Sequence, residues 1–122
     1  MKWIAFLSDK QRELMTIELL EAHVEYLTQI TVEKKLEFCG PLMDGTAIMI
    51  LNAKSEDEAK SIVRLDPFSN VSYYKNVKFV ECMEANLKNG FLLEWSLDYM
   101  GSNEYKKSMR LDCHDNKVGL DI

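Results

Sequence analysis

Two residues of this chain, His23 and Asp66, have the side chains of a small acid–base site. His23 lies within the apolar stripe of a long predicted helix, and Asp66 directly precedes Pro67 and Phe68 in a predicted turn. An imidazole beside a carboxylate can act as a general acid or base, since an unperturbed histidine has a pKa of about 6.5. The pair indicates proton abstraction, isomerisation or elimination on a small oxygenated substrate, with Asp66 holding the tautomer of His23.

A purely structural role explains the same two residues. His23 can be a core histidine that hydrogen-bonds to the backbone, and Asp66 can simply cap the turn before Pro67. Taken alone, the residue pattern favours this structural interpretation, because structural ion pairs can bring the same residue types together without catalysis. The two interpretations differ in the second ring nitrogen of His23. An enzyme needs that nitrogen to be reachable from solvent, whereas a structural histidine has both nitrogens satisfied by protein.

Three more residues at the proline-marked turns are candidates for lining a pocket. Gly40 and Pro41 end a predicted strand, and their turn is first a structural corner with exposed backbone amides as a second role. Phe68 is explained either as a core residue or as a pocket wall. Cys39 at the same corner is better explained as a small buried apolar residue than as a nucleophile, because no activating neighbour is visible.

The hydrophobic pattern predicts the elements that position these residues. Alternating and helical spacings predict strands at 3–7, 36–42, 46–51 and 73–83, and helices at 10–34 and 55–65. Asp44 and Gly45 are a hairpin signal between the second and third strands, and Ser55 is a natural N-cap for the second helix. In the first helix, one face carries His23 and an apolar stripe of Ile17, Leu20, Val24, Leu27 and Ile30. The order of elements is βαββαβ, the signature of a ferredoxin-like α+β fold.

The predicted sheet needs a cover on its second face. Its first and third strands are apolar on both faces, unlike strands of a sheet with one side in water. Two helices cover only one face of a four-stranded sheet. We therefore expect a homodimer whose sheets pack face to face.

Residues 87–122 lie outside the six-element unit and are expected to form a C-terminal extension to a domain of residues 1–86. Alternate apolar positions predict a fifth strand here, formed by Phe91, Leu93, Trp95, Leu97 and Tyr99. From Gly101 onward the chain is polar, and we expect a loosely held end with a short helix near 104–109. The run Asp112-Cys113-His114-Asp115 contains metal-binding residue types, but contiguous ligands do not match zinc spacing, so we expect no metal.

The composition excludes several classes of protein. The 122 residues carry a formal net charge of -5 without a basic stripe, which argues against nucleic acid as a partner. The apolar run at the N-terminus is too short for a signal segment or a membrane span. The three cysteines are widely spaced and odd in number, so we expect reduced thiols and a cytoplasmic location.

The helical His23, the Cys39-Gly40-Pro41 corner, the helix start at 55–59 and the Asp66-Pro67-Phe68 turn together resemble the YciI-like (YCII-related) family of small bacterial proteins. The resemblance covers about residues 1–86. It implies a dimeric α/β barrel of ferredoxin-like subunits, with a pocket in which His23 and Asp66 form a suspected active-site dyad. Two departures stand out: the loop at 42–45 is tighter than in many relatives, and Ser72 stands where relatives often have glycine.

These observations lead to one functional hypothesis and one alternative. The hypothesis is a small-molecule pocket with a His23–Asp66 dyad, working without a cofactor as a lyase or isomerase. No phosphate loop, dinucleotide fingerprint or nucleophile elbow is present, which is why no cofactor is expected. The alternative is a non-catalytic ligand-binding or interaction module on the same dimeric barrel.

Overall fold

The computed structural model describes residues 1–100. The chain divides into two units, residues 1–83 and 84–122. The first unit contains seven regular elements in the order β1 Lys2–Lys10, α1 Ile17–Val32, β2 Leu36–Pro41, β3 Ala47–Asn52, α2 Glu56–Arg64, α3 Pro67–Asn70 and β4 Tyr74–Cys82. A short 3-10 turn, Arg12–Leu14, lies between β1 and α1.

The four strands form one antiparallel sheet in the order β2-β3-β1-β4. Ala5 of β1 pairs with Met49 of β3 on one side and with Phe79 of β4 on the other. Cys39 of β2 pairs with Met49 across the hairpin. This topology confirms the predicted ferredoxin-like fold, since β1 lies between β3 and β4 and the two longer helices connect strands that are not neighbours.

Both longer helices begin at a hydroxyl cap. The Ser55 hydroxyl accepts a hydrogen bond from the Glu58 backbone amide at 3.1 Å, which confirms the predicted start of α2. The Thr16 hydroxyl accepts from the Leu19 amide at 3.0 Å, so α1 begins at Ile17. The prediction that this helix begins near residue 10 is wrong, because β1 continues to Lys10 and the 3-10 turn follows it.

The core lies between the two longer helices and one face of the sheet. It is formed by buried residues of β1, β2, β3, α1 and α2 together with one residue that follows β3: Ala5, Leu7, Ile30, Leu36, Met49, Leu51, Ala53, Ala59, Ile62 and Val63. Only the C-terminal half of the predicted apolar stripe of α1 takes part, since Ile30 is buried whereas Ile17, Leu20 and Val24 are exposed. The N-terminal half of α1 lies beside a cavity instead of the core.

The opposite face of the sheet is not covered by residues 1–83. The strand registers place Phe6, Phe38 and Val80 on this face, together with Ile4 and Ile50. Phe38 is 56% exposed and Phe6 is 41% exposed. The first unit therefore carries an apolar sheet face on the side away from α1 and α2.

The described part of the second unit, residues 84–100, contains helical segments with a kink of non-helical backbone at 89–91. A 3-10 segment, Leu87–Leu92, is capped by reciprocal hydrogen bonds between Asn86 and Asn89, and helix α4, Leu93–Met100, follows it. The expectation of a strand at 91–99 is wrong. Residues Phe91, Trp95 and Tyr99 are also four apart, a helical spacing, and a helix satisfies its own backbone groups where a strand needs a neighbouring strand.

Two expectations lie outside the described residues: the short helix near 104–109 and the run at 112–115. None of the helices within residues 1–100 combines the length and the apolarity needed to cross a membrane.

Candidate active site

The turn at Asp66 is built by local sequence signals. Asp66 precedes a proline and takes an extended backbone, with φ -68° and ψ 132°, while Pro67 occupies the first position of α3. The Asp66 Oδ1 atom accepts a hydrogen bond from the Phe68 amide at 2.9 Å, which caps this short helix. The Asp66 carboxylate is therefore fixed by its own turn before any partner is considered.

His23 of α1 reaches the same carboxylate oxygen from across the molecule. Its Nδ1 atom lies 2.8 Å from Asp66 Oδ1, and the two residues are 43 positions apart in sequence. The side chain of His23 is 17% exposed and that of Asp66 is 4% exposed. Helices α1 and α3 pack against each other, which brings the two side chains together.

The hydrogen bond determines how the imidazole can be used. An ionised carboxylate only accepts hydrogen bonds, so Nδ1 of His23 is the donor and Nε2 of the neutral ring carries the lone pair. Nε2 has no hydrogen-bond partner among residues 1–100. Among residues 1–100, the one side-chain nitrogen or oxygen that is buried without a hydrogen-bond partner is Trp3 Nε1. Nε2 of His23 also lacks a partner but is not in this class, so it is accessible.

A cluster of aromatic rings supports the imidazole. The ring of His23 stacks on Phe68 with centroids 3.6 Å apart and planes 6° apart. Phe68 in turn contacts Tyr73 at 4.7 Å, and Tyr73 meets Tyr74 edge to face at 5.1 Å. Aromatic pairs of this kind contribute about 0.5–1.5 kcal/mol each beyond their buried area. The stack and the hydrogen bond to Asp66 together hold the plane of the His23 ring.

This cluster forms one wall of a cavity of about 390 Å³. The cavity opens where β1 and β2 end and where β3 and β4 begin. Its walls come from the sheet, from the start of α1 and from the segment around α3: Leu7, Met15, Leu20, His23, Leu27, Cys39, Gly40, Pro41, Ala47, Ile48, Met49, Asp66, Phe68, Ser69, Tyr73 and Tyr74. A mostly apolar cavity with a few convergent polar groups is typical of a small-molecule site.

The Asp66 carboxylate affects the pKa of two neighbouring side chains. Burial, together with the Asp66 carboxylate, raises the pKa of the Cys39 thiol, so Cys39 is protonated at neutral pH. Burial and the same carboxylate also raise the pKa of Tyr26 to about 12. The Tyr26 hydroxyl donates a hydrogen bond to the Ile62 carbonyl. Because its thiol stays protonated, Cys39 is a poor nucleophile at this site.

The structure places all five sequence-predicted site residues, His23, Asp66, Gly40, Pro41 and Phe68, in the wall of one cavity. Phe68 is both 9% exposed and stacked on His23, so it serves as core and as pocket wall. Sequence reasoning missed Tyr73 and Tyr74, although a tyrosine pair at the end of the Asp-Pro turn was the available signal. Within residues 1–100, no three His, Cys, Asp or Glu side chains converge to hold a metal ion.

Comparisons with known proteins agree with this fold. The YCII-related domain model matches residues 1–82. Among solved structures, the chain is similar to 5-chloro-2-hydroxyhydroquinone dehydrochlorinase (TftG) from Burkholderia phenoliruptrix, in complex with 2,5-dihydroxybenzoquinone. The TM-score is 0.59 at 22% identity, over 69% of this chain and 95% of that one. No curated protein matches the chain by sequence.

Proposed function

We propose that this chain, which belongs to the YCII-related domain family, binds a small oxygenated ring compound in its cavity and transfers protons to and from it through His23. The observation that carries the proposal is the pairing of His23 Nδ1 with Asp66 while Nε2 is accessible and unpaired within residues 1–100. This is the arrangement required of a general base and not that of a histidine with both nitrogens satisfied.

The reaction class that we propose is a cofactor-independent elimination or isomerisation. A hydroquinone that bears a leaving group can first shift a hydroxyl proton to the carbon that carries the leaving group. Removal of a second hydroxyl proton then expels the leaving group with its bonding electrons and leaves a quinone. The sum is loss of one acid molecule, without an external oxidant, and both steps are proton transfers of the kind that His23 can perform.

Two observations support a flat, hydroxylated substrate. The aromatic wall formed by Phe68, Tyr73 and Tyr74 offers faces and edges on which a ring can pack. The similar fold of TftG, whose name describes a dehydrochlorination and whose structure holds a dihydroxybenzoquinone, supports an elimination of this type.

The test uses hydroquinone as a binding probe and 5-chloro-2-hydroxyhydroquinone as a substrate probe. We expect hydroquinone to bind the wild type and His23→Gln to bind it more weakly, because the glutamine has no basic nitrogen. We expect chloride release to fall by roughly a hundredfold or more in His23→Gln. Glu25→Gln, which also introduces glutamine on α1 but at an exposed position, is the matched control and is expected to behave as wild type.

A folded His23→Gln protein that binds and turns over these probes as well as wild type would contradict the proposal. Binding that depends on His23 without chloride release from this probe would support the ligand-binding module over the lyase.

We also propose that two copies pack through the apolar sheet face defined by Ile4, Phe6, Phe38, Ile50 and Val80. Exposed aromatic and branched side chains on one flat face are unusual for a monomer, and a second copy presents the same face.

Cys39 and Cys82 are free thiols, which supports a reducing, cytoplasmic location.

Sedimentation tests the assembly. We expect a dimer for the wild type and a monomer for Phe38→Glu, since a buried unpaired carboxylate is costly at such an interface. Val32→Glu alters a residue that is more exposed, at 77%, but lies on α1, and it is expected to remain dimeric. A wild-type monomer at micromolar concentration would remove this proposal.

A further inference from the structure

We infer that the cavity selects uncharged hydroxylated aromatic ligands and rejects analogues of the same shape that carry a negative charge. This inference rests on the proposed function, because it concerns the ligand of the same site. It adds the charge of that ligand and separates this cavity from that of TftG, whose bound 2,5-dihydroxybenzoquinone carries acidic enol hydroxyls.

The cavity wall offers an anion no fixed positive charge. No lysine or arginine lines it among residues 1–100, and His23 is its one basic side chain. That imidazole already faces the Asp66 carboxylate at 2.8 Å. A ligand carboxylate, sulfonate or phosphate would lose its hydration in an apolar cavity and gain no free cation in return.

The buried carboxylate of Asp66 adds repulsion to this loss of hydration. Asp66 is 3% exposed, so water screens its charge poorly. Its effect is visible on Cys39, which lines the same cavity and whose pKa is raised by burial and by Asp66. A negative charge placed near Cys39 is therefore opposed both by the apolar surroundings and by this carboxylate.

Uncharged hydroxyl groups find partners at the same site. His23 Nε2 can accept a hydrogen bond from a phenol, as described above. Tyr74 lines the cavity, and its hydroxyl has no hydrogen-bond partner among residues 1–100. Burial and the neighbouring Tyr73 raise the pKa of Tyr74, so its hydroxyl is a neutral donor for a ligand oxygen.

Two ligands of nearly equal shape test the inference: para-hydroxybenzamide and para-hydroxybenzoate, which differ in one charged group. Calorimetric titration of the full chain near neutral pH is expected to give at least roughly tenfold tighter binding of the amide. Leu20→Arg places a cation in the cavity wall, one turn before His23, and is expected to reduce this preference several-fold. Val32→Arg adds the same charge to α1 away from the cavity and is expected to leave the preference unchanged.

Equal affinity of the wild type for the two ligands would overturn the charge selection. If Leu20→Arg and Val32→Arg change the ratio of the two affinities equally, the inference fails as well, because the ratio would then depend on the net charge of the protein and not on the cavity wall. If both ligands bind equally but His23→Gln weakens both, the proposed function stands and this inference fails. If neither ligand nor hydroquinone binds, both fail.

Discussion

Replacing Asp66 with alanine removes both hydrogen bonds that its Oδ1 atom accepts, one from the Phe68 amide and one from His23 Nδ1. Loss of a helix cap costs about 1 kcal/mol. Loss of a hydrogen bond to a charged group costs about 1.5–3 kcal/mol, with the lower end appropriate here because water in the cavity can reach the imidazole. The free energy of unfolding is therefore expected to fall by about 2.5 kcal/mol.

Urea unfolding followed by tryptophan fluorescence measures this loss. With an m-value of about 1.5 kcal/mol per molar, the midpoint of Asp66→Ala is expected to fall by roughly 2 M. Asp66→Asn is the matched control, because an amide oxygen can accept both hydrogen bonds, and its loss is expected to be about 1 kcal/mol. An alanine variant that loses no more stability than the asparagine variant would contradict a stabilising role for these two hydrogen bonds.

Three other predictions concern stability and reactivity. Because burial and Asp66 raise the pKa of Tyr26 from 10.0 to about 12, the stabilisation by its neutral phenol is complete below pH 10 and is lost as the pH rises through 12. The stability difference between wild type and Tyr26→Phe in urea unfolding should shrink over that interval, and a constant difference would contradict the assignment. Alkylation of Cys39, followed by peptide mass spectrometry, should reach its half-maximal rate above pH 9, the ordinary thiol value; a midpoint at or below it would show that the thiol is not suppressed. Ser72→Gly should stabilise the fold by about 0.5–1 kcal/mol, because Ser72 has a φ of 52°. Ser69→Gly, which loses a hydroxyl bond of 2.6 Å to the Val63 carbonyl, should destabilise it, and thermal unfolding of the two variants gives the comparison.

Features that depend on neighbouring residues could be predicted from the sequence. The cap at Ser55 and the turn at Asp66 are set by side-chain oxygens and a proline within three positions, so their spacing is visible in the sequence. The order of strands and helices follows from periodicity in the same way. Ser72 has a left-handed backbone, a conformation that glycine adopts more readily than serine.

Features that depend on distant contacts could not be predicted in the same way. Ile17, Leu20 and Val24 share a helical face with Ile30, but only the end of α1 lies on the core, and periodicity gives no position along the helix axis. Tyr73 enters the cavity wall because its amide bonds back to the Phe68 carbonyl at 2.9 Å and closes the turn. The hydrogen bond from His23 to Asp66 likewise depends on how α1 and α3 pack.

The single oxygen of Asp66 that serves two hydrogen bonds has a consequence for how relatives diverge. Because the oxygen that receives His23 also caps α3, Asp66 stabilises the fold through this cap even in a variant that lacks His23. Replacement of His23 removes one of these two hydrogen bonds and leaves the cap on Phe68 intact. Under the proposed function, retention of the aspartate across descendants would reflect the fold, whereas loss or retention of the histidine would separate members that differ in their use of the cavity.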